Sequence, residues 1–402
     1  MKDKLCLTDV DVKGKRCFVR VDYNVPLDEF RNITDDIRIR ASLPTINYLI
    51  DHGAKIIIAS HMGRPKGRRN PAFSLDVVKT RLARLLSHEV LFVDDCIGPK
   101  VEKAVAALKV GDVLLLENLR YYNEEPANDP EFSKKLASWA DVFINDAFAT
   151  AHRAHASTYG ITKFVDVSAC GFLLKKEIDY FKRSVENPAR PVVAIVGGSK
   201  TSSKIGLLAN LLDHVDKLIV AGGLAFTFLK ARGLEVGENI VDNEMMDSVI
   251  NIMDKAQQKG VKFYLPVDFV IAERLDPRAQ TKIVPAQELP EDWTAPDIGP
   301  ASVALFKEVL HDAKTIIWNG PMGVFEMDQF SRGTMAMVDA VANAYALTIV
   351  GGGDTDVAVS RAGLASNISF ISTGGGAFLE LLEGKELPAI SVLTDKKTEV
   401  RF

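Results

Sequence analysis

Four arginines and a series of glycine clusters are the residues of this chain whose types and placement carry chemistry. The arginines are Arg38, Arg64, Arg120 and Arg153. A guanidinium offers five donors in a planar fork that matches phosphate or carboxylate oxygens. Three of the four follow apolar runs that read as strands: Ile58-Ala59 leads to Ser60-His61-Met62-Gly63-Arg64, Leu114-Leu115-Leu116 to Glu117-Asn118-Leu119-Arg120, and Val142-Phe143-Ile144 continues to Thr150-Ala151-His152-Arg153. Another run, Val19-Arg20-Val21, leads to Asp22-Tyr23-Asn24. In the second half the apolar runs end in glycine, at Gly197-Gly198, Gly222-Gly223, Gly351-Gly352-Gly353 and Gly374-Gly375-Gly376. Glycine there lets backbone N–H groups approach an anion, and a following helix N-terminus adds partial positive charge. Any one arginine reads equally well as a solvated charge, and one glycine pair as the cap of a tight turn. Repetition after successive strands favours two anion sites of different chemistry, that is, two phosphorylated ligands facing one another. Asp354 has two readings, an N-cap of the helix after the triple glycine or a carboxylate holding Mg²⁺ against a polyphosphate. His152 and His155 have HxxH spacing without a further ligand, so no metal is expected there.

The elements that position these residues are legible as an alternation of short β-branched runs and amphipathic helical stretches, which predicts an α/β chain with parallel sheets. In such sheets ligands bind beyond the carboxyl ends of the strands, where the polar residues and glycines above fall. Leu43, Ile46, Leu49 and Ile50 predict a helix over 42–52, stopped by Gly53. A second helical period, Leu174, Ile178, Phe181 and Val185, runs into Glu186-Asn187-Pro188-Ala189-Arg190-Pro191, whose prolines forbid continuation. This punctuation predicts a domain over 1–172, a helix and linker over 173–190, and a second domain over 191–389. The expected fold is therefore two doubly wound parallel-sheet domains joined by a helix and hinge.

Composition narrows the class. The chain has 402 residues, is 47% hydrophobic and 25% charged, and carries a net charge of -4. No global field favours nucleic acid or an anionic membrane. The first residues, Met1-Lys2-Asp3-Lys4, open without an apolar core, so no export signal is expected, and no apolar run is long enough to span a bilayer. Four scattered cysteines, Cys6, Cys17, Cys96 and Cys170, form no CxxC pair, which fits reduced thiols in a cytoplasmic protein. No Walker loop, GxGxxG turn, protein-kinase signature or GxSxG elbow is present. No exposed apolar stripe is identifiable, so a monomer is expected.

Assembled in order, the chain resembles the phosphoglycerate kinases from end to end. The segments that carry the resemblance are Arg20-Val21-Asp22-Tyr23-Asn24-Val25-Pro26, Ser60-His61-Met62-Gly63-Arg64-Pro65, Leu116-Glu117-Asn118-Leu119-Arg120-Tyr121 and Asn145-Asp146-Ala147-Phe148 through Ser157. Gly197-Gly198-Ser199-Lys200 to Lys204, Trp318-Asn319-Gly320-Pro321-Met322-Gly323-Val324-Phe325-Glu326, Gly351-Gly352-Gly353-Asp354-Thr355 and Ser372-Thr373-Gly374-Gly375-Gly376 complete the set. The resemblance implies reversible phosphoryl transfer between 1,3-bisphosphoglycerate with ADP and 3-phosphoglycerate with ATP. It implies a triose site at Asp22, Asn24, Arg38, His61, Arg64, Arg120 and Arg153, and a nucleotide site at Lys204, Glu326, Gly352, Gly353, Asp354 and Thr355. Mg²⁺ would lie near Asp354, while Arg38, Lys200 and the N–H groups around Gly375 would meet transition-state charge. The C-terminal tail, 390–402, would return to the first domain. Ser199, Ser203, Ala149 and Asp356 depart from the family's usual residues, and none removes a charge assigned to catalysis.

The absence of an obvious base also suits this chemistry. The accepting carboxylate is already ionised at neutral pH, so what remains is in-line positioning and charge neutralisation, completed by hinge closure that excludes water. A non-catalytic, two-lobed anion-binding protein is the alternative class, but it has no need of Lys200, Lys204 and an acidic metal partner.

Overall fold

Strands that are buried on both faces read as continuous apolar runs, and such runs form the centre of both sheets here. The computed structural model describes residues 2–396. Contacts divide the chain into two units, one formed by the chain up to Asp179 with the segment from Glu386 onward, the other by Tyr180–Lys385.

The first unit is built on β1 (Arg16–Arg20), β2 (Lys55–Ala59), β3 (Val90–Val93), β4 (Val113–Leu116), β5 (Val142–Asn145) and β6 (Ser168–Cys170), in the order β3-β4-β2-β1-β5-β6. All neighbouring pairs are parallel. The order reverses at β1, so the loops after β1, β2, β4 and β5 gather at one edge, where a doubly wound sheet binds its ligand. Phe18 and Phe143 pack in the core with ring centroids 6.3 Å apart. The predicted helix over 42–52 begins earlier, at Ile37, and runs to Asp51 with Pro44 inside it. Gly53, at φ +68°, ends that turn as expected.

The chain's last described segment lies on this unit. Leu5 N–H donates to Thr394 O at 2.8 Å, Thr394 N–H to Ser168 O at 2.9 Å, and Ala389 N–H to Ala151 O at 3.1 Å. Within the expected returning tail, 390–402, residues 397–402 lie outside the described residues.

The second unit contains β7 (Val192–Val196), β8 (Lys217–Val220), β9 (Lys262–Tyr264), β10 (Asp268–Ala272), β11 (Thr281–Pro285), β12 (Thr294–Ile298), β13 (Thr315–Asn319), β14 (Leu347–Gly351) and β15 (Phe370–Ile371). Six of these form a parallel sheet in the order β15-β14-β13-β7-β8-β9, around a core that includes fully buried Trp318 and Phe306. The other three form an antiparallel sheet, β11-β10-β12, which the sequence pattern did not anticipate. The helical stretch at the domain junction is an α-helix over Phe172–Phe181 that widens into a π-turn over Lys182–Glu186.

Candidate active site

In the first unit, short loops after the parallel strands bring the predicted residues into one charged neighbourhood. Asp22 follows β1, and its Oδ2 accepts from Arg38 Nη1 at 3.1 Å. Arg38 stands in the first turn of the helix Ile37–Asp51 and donates also to Asn24 O at 3.0 Å. Asn24 Oδ1 in turn accepts from Gly63 N–H at 2.8 Å, tying the loop after β1 to that after β2. Asp22, Asn24 and Arg38 are thus one connected cluster.

His61 is only 3% exposed. Burial, followed by the nearby charges of Arg20, Arg120, Arg38 and His155, holds its pKa well below the usual imidazole value. Arg120 donates to Gly63 O at 2.8 Å, and burial together with Arg20, Arg153 and Arg64 pulls its pKa down to about 10. A cavity of about 300 Å³ is lined by Arg64, Lys66, Arg120, Asn123, Arg153 and His155 among others. Arg64, Arg120 and Arg153 therefore meet at one pocket. Cations crowded in this way repel one another, and an anion relieves that repulsion.

The sequence pattern did not single out Lys66, Asn123, Arg20 or Glu125, and weighed His155 only as a metal ligand. Lys66 holds a left-handed backbone, φ +55°, next to the Pro65 turn, a position a loop motif alone does not reveal. Arg20 is fully buried inside a strand, where its signal was read as part of an apolar run. Burial and the charges of Arg20, Arg120 and Arg153 hold the His155 pKa down at about 4, so the imidazole is neutral.

In the second unit, three strand ends converge on backbone. A Cβ on Gly197 would lie 2.1 Å from Pro321 O, and one on Gly222, at φ +69°, would lie 2.8 Å from Gly198 N. Only glycine permits this approach. The result is a cavity of about 250 Å³ lined by Gly198, Lys200, Lys204, Gly352, Gly353, Asp354 and Thr355 among others. Lys204 Nζ donates to Asn319 Oδ1, and Asn319 Nδ2 donates to Gly351 O at 2.6 Å, so β13 and β14 jointly fix the lysine. Burial lowers the Lys204 pKa, against the pull of Glu383 and Asp354. Thr355 Oγ1 accepts from Gly320 N–H at 2.7 Å and closes the floor.

A larger cavity of about 440 Å³ shares Gly198, Ser199, Pro321 and Asp354 with the first. Phe226, Phe269, Leu275, Val324 and Glu326 line it. A slot with apolar walls and Glu238, Glu326 and Asp354 at its edges, continuous with a glycine- and lysine-lined cradle, suits a planar base attached to a polyphosphate. Gly375, at φ +48°, caps the short helix Gly376–Leu382 and lines neither cavity, although Leu379 of that helix lines the smaller.

The N-cap of the helix Gly353–Arg361 is Gly352, so Asp354 sits in the first turn and is not the cap. Among the described residues no group of three or more acidic, histidine or cysteine side chains could hold a metal by itself. One exposed carboxylate beside a phosphate cradle is the donor set for a hard cation that arrives with its phosphate ligands and keeps several waters. Asp354 fits that use.

Comparison with known proteins shows the family of the chain. The family model described as phosphoglycerate kinase matches residues 7–385. A phosphoglycerate kinase of Geobacter metallireducens is 60% identical over 384 residues, 96% of each chain. One from Aquifex aeolicus is 53% identical over 397 residues, 99% of this chain and 100% of that one. The solved phosphoglycerate kinase of Coxiella burnetii superposes with a TM-score of 0.90 at 42% identity, covering 97% of this chain and 98% of that one.

Proposed function

The chain belongs to the phosphoglycerate kinase family and transfers a phosphoryl group to the carboxyl group of 3-phosphoglycerate, and from that premise we propose how its residues divide the work. The first unit takes the triose: Arg64, Arg120 and Arg153 hold the remote phosphate, while Asp22, Asn24, Arg38 and His61 hold the hydroxyl and carboxylate end. The observation that carries this reading is the pocket where three guanidiniums meet with no carboxylate in its lining. The second unit takes ATP or ADP, with the base in the apolar slot beside Glu326 and the phosphates over Gly352, Gly353, Thr355 and Lys204.

Transfer is direct and in line, on hinge closure. The carboxylate nucleophile carries no proton at neutral pH, so the protein needs no general base. Arg38 and Lys200 neutralise the charge on the transferring group, and N–H groups around Gly375 add donors. Asp354, together with the phosphates, would hold Mg²⁺, which would supply charge neutralisation at the polyphosphate. An anion-binding protein without catalysis does not fit relatives that are kinases over the whole chain.

We place the enzyme in the cytoplasm as a monomer. Its four cysteines are free and buried, which fits a reducing compartment, and no described helix is long and apolar enough to cross a membrane. Purified protein with 3-phosphoglycerate, ATP and Mg²⁺, coupled through glyceraldehyde-3-phosphate dehydrogenase, should oxidise NADH. No signal from folded protein would refute the proposal.

A further inference from the structure

Behind the triose residues lies a buried chain of polar groups that the reaction does not touch. Arg20 is completely buried, and so are Glu125 and Ser157. Arg20 Nε donates to Ser157 Oγ at 2.8 Å, its Nη1 to Val21 O, and its Nη2 lies 3.3 Å from His61 Nδ1. Ser157 Oγ is 2.5 Å from Glu125 Oε1, and Ser157 N–H donates to Glu125 Oε2 at 2.9 Å. Ala156 N–H donates to Glu125 O at 2.9 Å, so the two segments are also laced through the backbone.

We propose that Glu125, Ser157 and Arg20 act as positioning residues that fix His61 as a neutral imidazole with its proton on Nε2, and so as a hydrogen-bond donor to the triose. The inference rests on the reading that His61 belongs to the triose site. Its logic is directional. A guanidinium only donates, so His61 Nδ1 must accept and the remaining proton is on Nε2. Arg20 Nε occupies a lone pair of Ser157 Oγ, so that hydroxyl proton points to Glu125. Glu125 supplies the counter-charge that lets Arg20 stay buried beside a neutral ring.

The groups facing His61 from the packed elements are Arg20 on β1, Arg38 on the helix Ile37–Asp51, Arg120 after β4, and His155. His155 Nδ1 lies 3.9 Å from Glu125 Oε1. The three guanidiniums are positive and oppose its protonation, while the His155 imidazole is itself neutral. His61 Nε2 has no hydrogen-bond partner among the described residues, which leaves its N–H available to a ligand oxygen.

The test uses the full chain labelled with ¹⁵N-histidine, with His61 assigned through His61→Gln. In the wild type, two-bond ¹H–¹⁵N spectra should show His61 Nδ1 unprotonated and Nε2 protonated, unchanged from pH 5.5 to pH 8. The charge-neutral double variant Arg20→Met/Glu125→Gln removes the donor without stranding a buried charge. It should show mixed His61 tautomers, titration within that range, and a KM for 3-phosphoglycerate raised roughly ten-fold with kcat little changed, as for loss of one ground-state hydrogen bond to a charged group. If that variant does not fold, Arg20→Leu/Glu125→Met removes the same donor and the same buried charge and is read by the same spectra. His61→Gln, whose amide can still donate, should keep KM closer to wild type than His61→Ala does.

A protonated wild-type Nδ1, or an unchanged tautomer in the folded variant, overturns the relay and leaves the triose assignment standing. A His61→Ala variant with wild-type KM overturns the triose assignment of His61, whatever the tautomer.

Discussion

Arg38 separates folding from chemistry more cleanly than any other residue of the proposed site. Its side chain is 35% exposed and makes one ion pair, to Asp22, and one bond to Asn24 O. Asp22 is only 9% exposed but Arg38 is open enough to water to screen the pair, which contributes on the order of 1 kcal/mol. Arg38→Ala should therefore lower the melting midpoint by only about 2–4 °C for units of this size. The catalytic cost is of another order. If Arg38 neutralises the transferring phosphoryl as an arginine finger does, kcat falls about 10³-fold, equivalent to roughly 4 kcal/mol of lost transition-state stabilisation. The freed Asp22 carboxylate adds repulsion toward an anionic substrate, so KM for 3-phosphoglycerate should rise as well. Arg38→Lys keeps the charge without the fork and should fall between the two. Coupled turnover and a thermal melt on the same preparations decide the matter. A folded Arg38→Ala variant within ten-fold of wild-type kcat would refute the charge assignment. A drop in midpoint beyond 10 °C would show that Arg38 is a structural residue.

Two further outcomes follow from buried geometry. Asp146 is fully buried, its Oδ1 accepts from Leu174 N–H at 3.1 Å, and its Oδ2 has no hydrogen-bond partner among the described residues, so burial raises its pKa from 3.8 to about 7. The folded state holds this proton more tightly than the unfolded chain, so the stability it brings is present below pH 4 and is lost as pH rises through about 7, a change of up to roughly 4 kcal/mol. Relative to wild type, Asp146→Asn should melt progressively higher on going from pH 5 to pH 8, and a difference independent of pH would contradict this. Gly222→Ala places a Cβ 2.8 Å from Gly198 N at a left-handed φ of +69°. It should cost about 1–3 kcal/mol and raise KM for the nucleotide more than KM for the triose, which steady-state kinetics would show.

The strands that carry the site were legible because their burial is two-sided. Ile56-Ile57-Ile58 and Val192–Val196 are apolar at every position, and the residues after them fall at the sheet edge that binds ligands. The antiparallel sheet was not legible. β10 has a short apolar run, Phe269-Val270-Ile271-Ala272, but its partners carry no matching signal: four of the five residues of β11 are exposed, and β12 holds Pro296 and buries Asp297. The helix carrying Arg38 was read one turn late because Ile37-Arg38-Ile39-Arg40 alternates like a strand. The relay behind His61 was invisible for a different reason. Arg20, Ser157 and Glu125 stand far apart in the chain, and only the folded sheet brings their polar atoms together. Lys4 and Asp395 likewise pair at 2.6 Å from opposite ends of the sequence.

The central claim is that each unit binds one substrate through its own residues, and isothermal titration of two full-length variants tests it most directly. Arg64→Ala should lose 3-phosphoglycerate affinity by roughly ten-fold or more, as expected for one charged hydrogen bond, with Mg-ADP affinity unchanged. Lys204→Met should show the converse, weakened Mg-ADP and unchanged 3-phosphoglycerate. If Arg64→Ala instead weakens the nucleotide, or Lys204→Met the triose, in folded protein, the division of substrates between the units is wrong.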